Sequence, residues 1–433
     1  MSLRRYVNLV TANGQHGIYS LRRLNSEKFF FPADEAAAKA RDLPRLRRVP
    51  PHDLTSWIAQ KKKKQQAADL SGQQLESITP SPRPIFKVRP TKCPMTNGDR
   101  PRLHSFPLSG TKIFFADSGK RTTLYDTEAL CAITTPCLHE RKNFPVALSV
   151  PNPETEGEQD SGSLYIMDTT LNPRNTTPFE ALICRGRAAE HFTVQKTWHC
   201  DALPRPPFFD HRVDKHSSVL SYAVVGNFIC VSLTSGGTYC FDMVSRTWNL
   251  AGDWQMPFDG KAEYIPELKL WFGASADNHQ LPCAADLSPI LGGHAPKKQQ
   301  HHIWGYPHLR GDWFPDLYNP ANLISLGSGR FCIINYFRDM ERIPPWTNEL
   351  SVTDGSPVIV FSGLEVLACN GKGSSSGSDK EENCSGKGNV KESSSDSNKE
   401  NCSHNGNGNG LRMIKHKSLL CKDTDKHSVE SVL

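Results

Sequence analysis

Residues 218–243, "SVLSYAVVGNFICVSLTSGGTYCFDM", alternate apolar and small or polar side chains and are cut twice by dipeptides that reverse the chain, Gly226-Asn227 and Gly236-Gly237. Strict alternation has the two-residue period of a strand, and glycine supplies the positive φ that a tight hairpin turn requires. The stretch therefore reads as a three-stranded antiparallel meander whose two glycine dipeptides each form a two-residue turn. A meander has two open edges, so a chain that repeats it must dispose of many edges.

The pattern does repeat. "KIFFADSGKRTTLYD", "AEYIPELKLWFGAS" and "LISLGSGRFCIINYF" are each strand, turn, strand, and aspartates close apolar runs at Tyr125-Asp126, Met167-Asp168, Phe241-Asp242 and Ala285-Asp286. Between residues 86 and 368 no window sustains a 3.6-residue apolar period over three turns. The predicted class is all-β. Radial repetition of small sheets removes the edge problem, and at about 40–50 residues per blade the region holds about six blades. The expectation is a β-propeller-like domain of antiparallel strands, kelch-like in "CFDMVSRTW", where an aromatic-Asp pair precedes a turn and Trp248 packs between blades. A pair of sandwiches is the other arrangement compatible with so degenerate a repeat.

Outside that region the composition shifts. "RRYVNLV" and "GIYSLRRLN" form an N-terminal hairpin (residues 1–32) expected to pack on the propeller. Residues 33–85 read as a basic, partly helical linker with alanines at 36, 37, 38 and 40, ending in the proline-rich "TPSPRPIF". After the propeller-like domain of 86–369, residues 370–410 form a low-complexity insertion. Of the forty residues from Gly371 to Gly410, twenty-five are Gly, Ser or Asn and eleven more are charged, which leaves too little apolar surface to offset chain entropy; disorder is expected there. "FSGLEVLAC" before it and "LRMIKHKSLLC" after it read as strands that pair, since closing a long loop costs only about 0.6 kcal/mol per doubling of its length. Residues 411–433 are the closing strand and tail.

The chain also resembles a known family. "RRYVNLV…GIYSLRRL", "GTYCFDMVSRTWNLAGDWQMPFDGKAEYIPELKLWFG", "LPCAADLS", "LGSGRFCIINYF" and "LRMIKHKS" are similar to a large group of proteins expanded in grasses, described as domains of unknown function with kelch or F-box-associated propeller character. The resemblance implies a propeller-like fold and a plant source. It implies no activity and carries no catalytic residue.

Charge and cysteine usage bound the function. Residues 41–64 hold eight Arg or Lys against Asp42 and Asp53, an excess that equals the whole net charge of +6. The remainder is neutral, so no broad nucleic-acid-binding face is expected. Thirteen cysteines, an odd number without CxxC spacing, and the lack of a signal-like or eighteen-residue apolar run point to a reduced interior, cytoplasmic or nuclear, without a membrane span. Arg47 and Arg48, a twelve-residue spacer and Lys61, Lys62, Lys63 and Lys64 have the layout of a bipartite import signal, which would engage a nuclear-import carrier. The alternative is a solvated charge run.

No constellation for catalysis emerges. His301, His302 and His308 lie near Lys297 and Lys298, but neighbouring histidines on a strand face opposite ways; His199-Cys200 and His211 with His216 are no better placed. No metal site and no cofactor are expected, and the RGD at 310–312 carries no adhesion role without secretion. Neither GxSxG nor a phosphate-cradling glycine loop occurs. Tyr239 and Tyr264 are the tyrosines nominated for an axial copper site, with strand packing as their alternative role. The aromatic run through Trp248, Trp254, Phe258, Tyr264, Trp271 and Phe272 lacks the basic residues of a nucleic-acid groove. "LPRLRRVPPHDLTSWIAQ" is too interrupted by Pro44, Pro50 and Pro51 for an F-box. The reading is a non-enzymatic interaction scaffold that binds a protein or peptide through loops on a rigid β-frame; the alternative is a propeller enzyme, an oxidase or glycan-acting protein with an axial site.

Overall fold

The computed structural model describes residues 3–46, 75–78, 82–91, 101–151, 162–169, 175–187, 195–209, 217–278, 280–297, 302–305, 313–316, 319–339, 357–370, 409–422 and 428–433. Arg47, Arg48 and Lys61 to Lys64 lie outside them, as do His211, His216, His301, His308, the RGD tripeptide and residues 371–408.

Among the described residues the strands group into six antiparallel units of the propeller kind, the fourth and fifth joined into one eight-stranded sheet by a parallel pairing of their first strands. β1 (Tyr6–Asn13) and β2 (Ile18–Asn25) begin the first blade; a 3-10 turn (Ser26–Phe29), helix α1 (Ala33–Lys39) and short strands β3 (Arg41–Asp42) and β4 (Glu76–Ser77) precede its outer strand β5 (Phe86–Val88). The second blade is β6 (Leu103–Pro107), β7 (Lys112–Asp117), β8 (Thr122–Asp126) and β9 (Cys131–Thr135); the third is β10 (Pro145–Pro151), β11 (Gly162–Asp168), β12 (Phe179–Arg187) and β13 (Gln195–Ala202). The fourth is β14 (Val219–Val225), β15 (Phe228–Leu233), β16 (Thr238–Asp242) and β17 (Thr247–Gly252), and the fifth β18 (Phe258–Ile265), β19 (Leu270–Ser275), β20 (Pro282–Ala285) and β21 (His302–Ile303). After β22 (Trp313–Pro315), the sixth comprises β23 (Asn322–Gly327), β24 (Arg330–Asp339), β25 (Pro357–Asn370) and β26 (Asn409–Lys422). The last strand, β27 (Ser428–Val432), returns to the first blade and pairs antiparallel with β1, Leu9 opposite Val432.

Apolar packing joins these sheets into a ring. Val10 and Leu21 of the first blade meet Ile113 and Phe115 of the second. Phe114 and Leu124 meet Leu164 and Leu182 of the third, and Phe179 meets Val231 and Phe241 of the fourth. One cluster runs from Ala223 through Phe258 and Phe272 to Phe331, linking the fourth, fifth and sixth blades. The circuit ends where Ile334 and Phe361 pack on Val7 and Leu9 of the first. The inner strands β14 and β18 run parallel, as successive inner strands around an axis must. The middle strands are covered on both faces by neighbouring sheets, which accounts for strands such as β15 and β24 that are almost wholly buried, while outer strands such as β9 and β17 stay largely exposed.

The turns show what the recurring aspartates do. The Asp126 carboxylate accepts from the backbone N–H of Glu128 and Ala129, Asp242 from Val244 and Ser245, and Asp117 from Gly119 and Arg121. Each ties the turn that follows its strand, the usual work of an Asx side chain. Leu130, Arg246 and Lys269 adopt positive φ just before the next strand, so three hairpins share one turn geometry despite unrelated residues.

Two sequence expectations need correction. Gly226-Asn227 is a two-residue turn with Val225 opposite Phe228, but β15 and β16 are joined by four residues, Thr234 to Gly237. Gly237 is required there for a different reason: at φ +85 an added Cβ would lie 2.4 Å from the Gly252 carbonyl oxygen. The N-terminal hairpin does not pack on a finished ring; β1 and β2 are two of the four strands of a blade. The strands flanking the low-complexity insertion pair along their length, Val358 opposite Lys422 through to Asn370 opposite Asn409. β26 in turn carries β3 and β4 on its outer side, and Arg45 bridges to Trp304, so the segment 41–46 covers the outer edges of the fifth and sixth blades.

Candidate functional site

The inner strands of all six blades enclose one axial cavity of about 560 Å³. Its apolar and small lining is interrupted by a charged stripe on β18, where Asp259, Lys261 and Glu263 alternate inward, and by Glu430, Tyr222, Tyr336 and Arg4. Lys261 Nζ lies 3.8 Å from Glu263 Oε2. Ser105 and Ser431 share a 2.5 Å hydroxyl contact that ties the inner strand of the second blade to β27. Burial, with the Asp259 charge adding to it, pushes the Tyr222 phenol up to about 12, and burial also raises Tyr336. Both phenols therefore stay protonated at neutral pH and act in the cavity as neutral donors and acceptors. Its dimensions suit a small ligand or a side chain.

Tyr239 and Tyr264, the tyrosines nominated for an axial site, do not line this cavity. Tyr239 packs on Phe208 with ring centres 5.2 Å apart, and Tyr264 lies against Trp271 at 4.5 Å, 43% exposed. Both play the packing role. Trp248 stands between the third and fourth blades, within 5.2–5.7 Å of Phe179, Phe208 and Phe241, and its indole N–H donates to the Pro204 carbonyl.

A second polar cluster lies on the crossover from the second to the third blade. The fully buried Glu180 at the start of β12 accepts from the backbone N–H of His139 and Glu140, from His139 Nδ1 at 2.8 Å and from the Cys200 thiol at 3.2 Å. Lys142, also buried, donates to Glu180 Oε1 and to the carbonyls of Glu140 and Thr177. Burial would raise the Glu180 carboxyl, but the Lys142 charge and the hydrogen bonds from Lys142 and His139 outweigh it and hold the group below its ordinary value. Burial and the Glu180 charge push the Cys200 thiol up to about 12.

The donor atoms of His139, Glu180 and Cys200 lie within 4.8 Å of one another, near enough for one cation. The chemistry argues otherwise. Lys142 already neutralises the carboxylate, and a metal-binding cysteine is a thiolate, whereas this thiol is held protonated. The cluster acts as a clip fixing residues 139–142 to the β12 edge. Nearby, the buried Asp168 accepts from the backbone N–H groups of Asn143 and Phe144 and from the Asn175 side chain. His199, the sequence neighbour of Cys200, turns the other way and meets Thr197. Sequence reading misses this cluster because His139 and Cys200 are 61 residues apart and only strand pairing brings them together.

No helix among the described residues is long and apolar enough to cross a membrane. A family model described as "Protein of unknown function (DUF1668)" matches residues 4–422. No curated protein matches the chain. Among solved structures, the chain is similar to the Cps50 (Swd1) beta-propeller domain of Myceliophteria thermophila at 10% identity and a TM-score of 0.25. That likeness covers 47% of this chain and 54% of the other. The six-bladed ring is read from the strand order, the blade interfaces and the shared cavity.

Proposed function

The chain belongs to this family of proteins of unknown function, and we propose that it works as a non-enzymatic scaffold whose loops bind a protein or peptide. The observation that carries the reading is how the crossover loops are held. Buried Glu180 accepts from the backbone N–H groups of His139 and Glu140, buried Asp168 from those of Asn143 and Phe144, and buried Lys142 ties the Glu140 carbonyl to that of Thr177, which presents a held loop surface with little ordering cost on binding. Phe144 is left 61% exposed at that end, beside the Arg102 guanidinium, which stacks 5.6 Å from its ring centre. An exposed aromatic on a pinned loop suits a hot-spot contact.

Affinity capture with the wild-type chain and with Phe144→Ala tests this. A partner retained by the first and lost by the second, with melting unchanged, supports the scaffold; no partner differing between the two counts against it. The enzyme alternative would place its chemistry in the axial cavity, and metal analysis of purified protein separates the readings, since stoichiometric copper or zinc would favour the enzyme. Arg47, Arg48 and Lys61 to Lys64 are proposed contacts for a nuclear-import carrier, with residence in cytoplasm and nucleus; replacing the four lysines with glutamine should abolish nuclear accumulation of a fluorescent fusion if they serve import.

A further inference from the structure

We infer that Arg4, Arg5 and Arg23, gathered around Tyr6 beside the axial cavity that Arg4 lines, form a binding site for a phosphate-class dianion. The inference does not rest on the scaffold reading. The Arg23 guanidinium lies 4.8 Å and that of Arg5 5.4 Å from the centre of the Tyr6 ring. Arg4 is anchored from two directions, its backbone N–H donating to the Leu326 carbonyl at 2.8 Å and its Nε to the Tyr6 carbonyl at 3.0 Å. Stacking on an aromatic face fixes a guanidinium while leaving its N–H edge free to face a ligand.

What these three lack is a counterion. Among the described residues none of them has a carboxylate partner, although Arg121, Arg185, Arg246, Arg330, Arg338 and Arg412 all do. Arg4 Nη2 and Arg23 Nε are sealed from solvent without any acceptor. Burial and the Arg23 charge both depress Arg4; the acid that acts on it, Glu263, is shared with Lys261. Sealed, charged N–H groups without acceptors are costly, and folded chains seldom retain them unless something else completes the site.

The missing partner is defined by what would complete it. Guanidiniums held beside one another offer donor pairs that match an anion with several oxygens, and the charge of three exceeds what one carboxylate neutralises. A phosphate monoester, with about two negative charges and three acceptor oxygens, fits both. Arg4 also lines the axial cavity, so there is space beside it for the group that carries the phosphate. That group is either a small phosphate ester or a phosphorylated side chain of a polypeptide.

Calorimetric titration of the full chain in phosphate-free buffer tests this with inorganic phosphate, phosphoserine and a phosphoserine-containing tetrapeptide. Phosphate should bind and raise the melting temperature, and Arg4→Gln, Arg23→Gln and Arg5→Gln should each weaken binding by about tenfold or more. Tighter binding of the tetrapeptide than of phosphoserine assigns the source to a polypeptide; equal or weaker binding assigns it to a small ester. Arg5 is exposed, so its variant keeps the test valid should the buried arginines prove necessary for folding. Absence of phosphate binding up to about 10 mM, or binding by Arg5→Gln equal to wild type, would overturn the proposal.

Discussion

Deleting residues 428–433 removes the strand that closes the ring, and the cost follows from what that strand buries. Val432 and Leu433 are 3% and 7% exposed, and burying side chains of this size contributes about 1.5–3 kcal/mol each. The backbone of Asn8 also loses both of its hydrogen bonds to Leu433, and the Asn322 side chain loses its acceptor on Val432. Taken together the deletion should destabilise by about 5 kcal/mol. With an unfolding entropy of about 2.1 cal/mol/K per residue over the roughly 290 described residues, that corresponds to a fall of about 8 °C in Tm. Thermal unfolding followed by circular dichroism reads it directly. Glu430→Gln, at an exposed position of the same strand, is the control and should melt like the intact chain. A deletion mutant melting within about 2 °C of wild type would refute ring closure by β27.

Other outcomes follow from the same geometry. Glu180→Gln leaves the Lys142 ammonium buried without its anion and should cost about 3–5 kcal/mol in denaturant unfolding. Because the folded carboxyl sits below its ordinary value, its contribution is complete above the unfolded pKa and is lost as pH falls through the folded one; the variant should show a shallower loss of stability on acidification. Gly363→Ala sets a Cβ 2.3 Å from the Phe29 carbonyl oxygen and should cost about 1–3 kcal/mol, visible as a lower denaturant midpoint. His104, lowered to about 4 by burial and then by Arg102, takes its proton in the unfolded chain first. Stability should decline from about pH 6.5 toward pH 4, and His104→Gln should flatten that slope. Brief alkylation of the native chain should label the exposed Cys131 and Cys137 and spare Cys230, Cys240, Cys283 and Cys332; mass spectrometry of peptides distinguishes them.

What could be read from sequence was what has a short period. Alternation and glycine or aspartate turns identify hairpins such as β7 with β8 and β18 with β19, because both signals lie within a few residues of each other. The pairing of β25 with β26 was legible too, since two apolar alternating runs flank a stretch with nothing to bury. Incorporation of β1 and β2 into a blade was not, because it depends on β27, more than four hundred residues away. The site residues were hidden for the same reason. Tyr222 and Tyr336 reach one cavity from different blades, and nothing local separates them from Tyr239 or Tyr264, which alternate in strands just as regularly. Lys142 and Glu180 read as ordinary surface charges until the crossover folds one over the other.

The seam between β27 and β1 has a topological corollary. In the fourth blade the corresponding gap between first and second strands is spanned by just Gly226 and Asn227, whereas here it separates Leu433 from the residues ahead of Tyr6, with Asn8 bonded to Leu433 in both directions. A short turn joining Leu433 to the segment ahead of Tyr6 would therefore supply that link, and the polypeptide could be cut instead at Gly226-Asn227 to start and finish within a different blade. Such a permuted protein should reach the same architecture, because sequence order enters this design only as the position of a single missing turn.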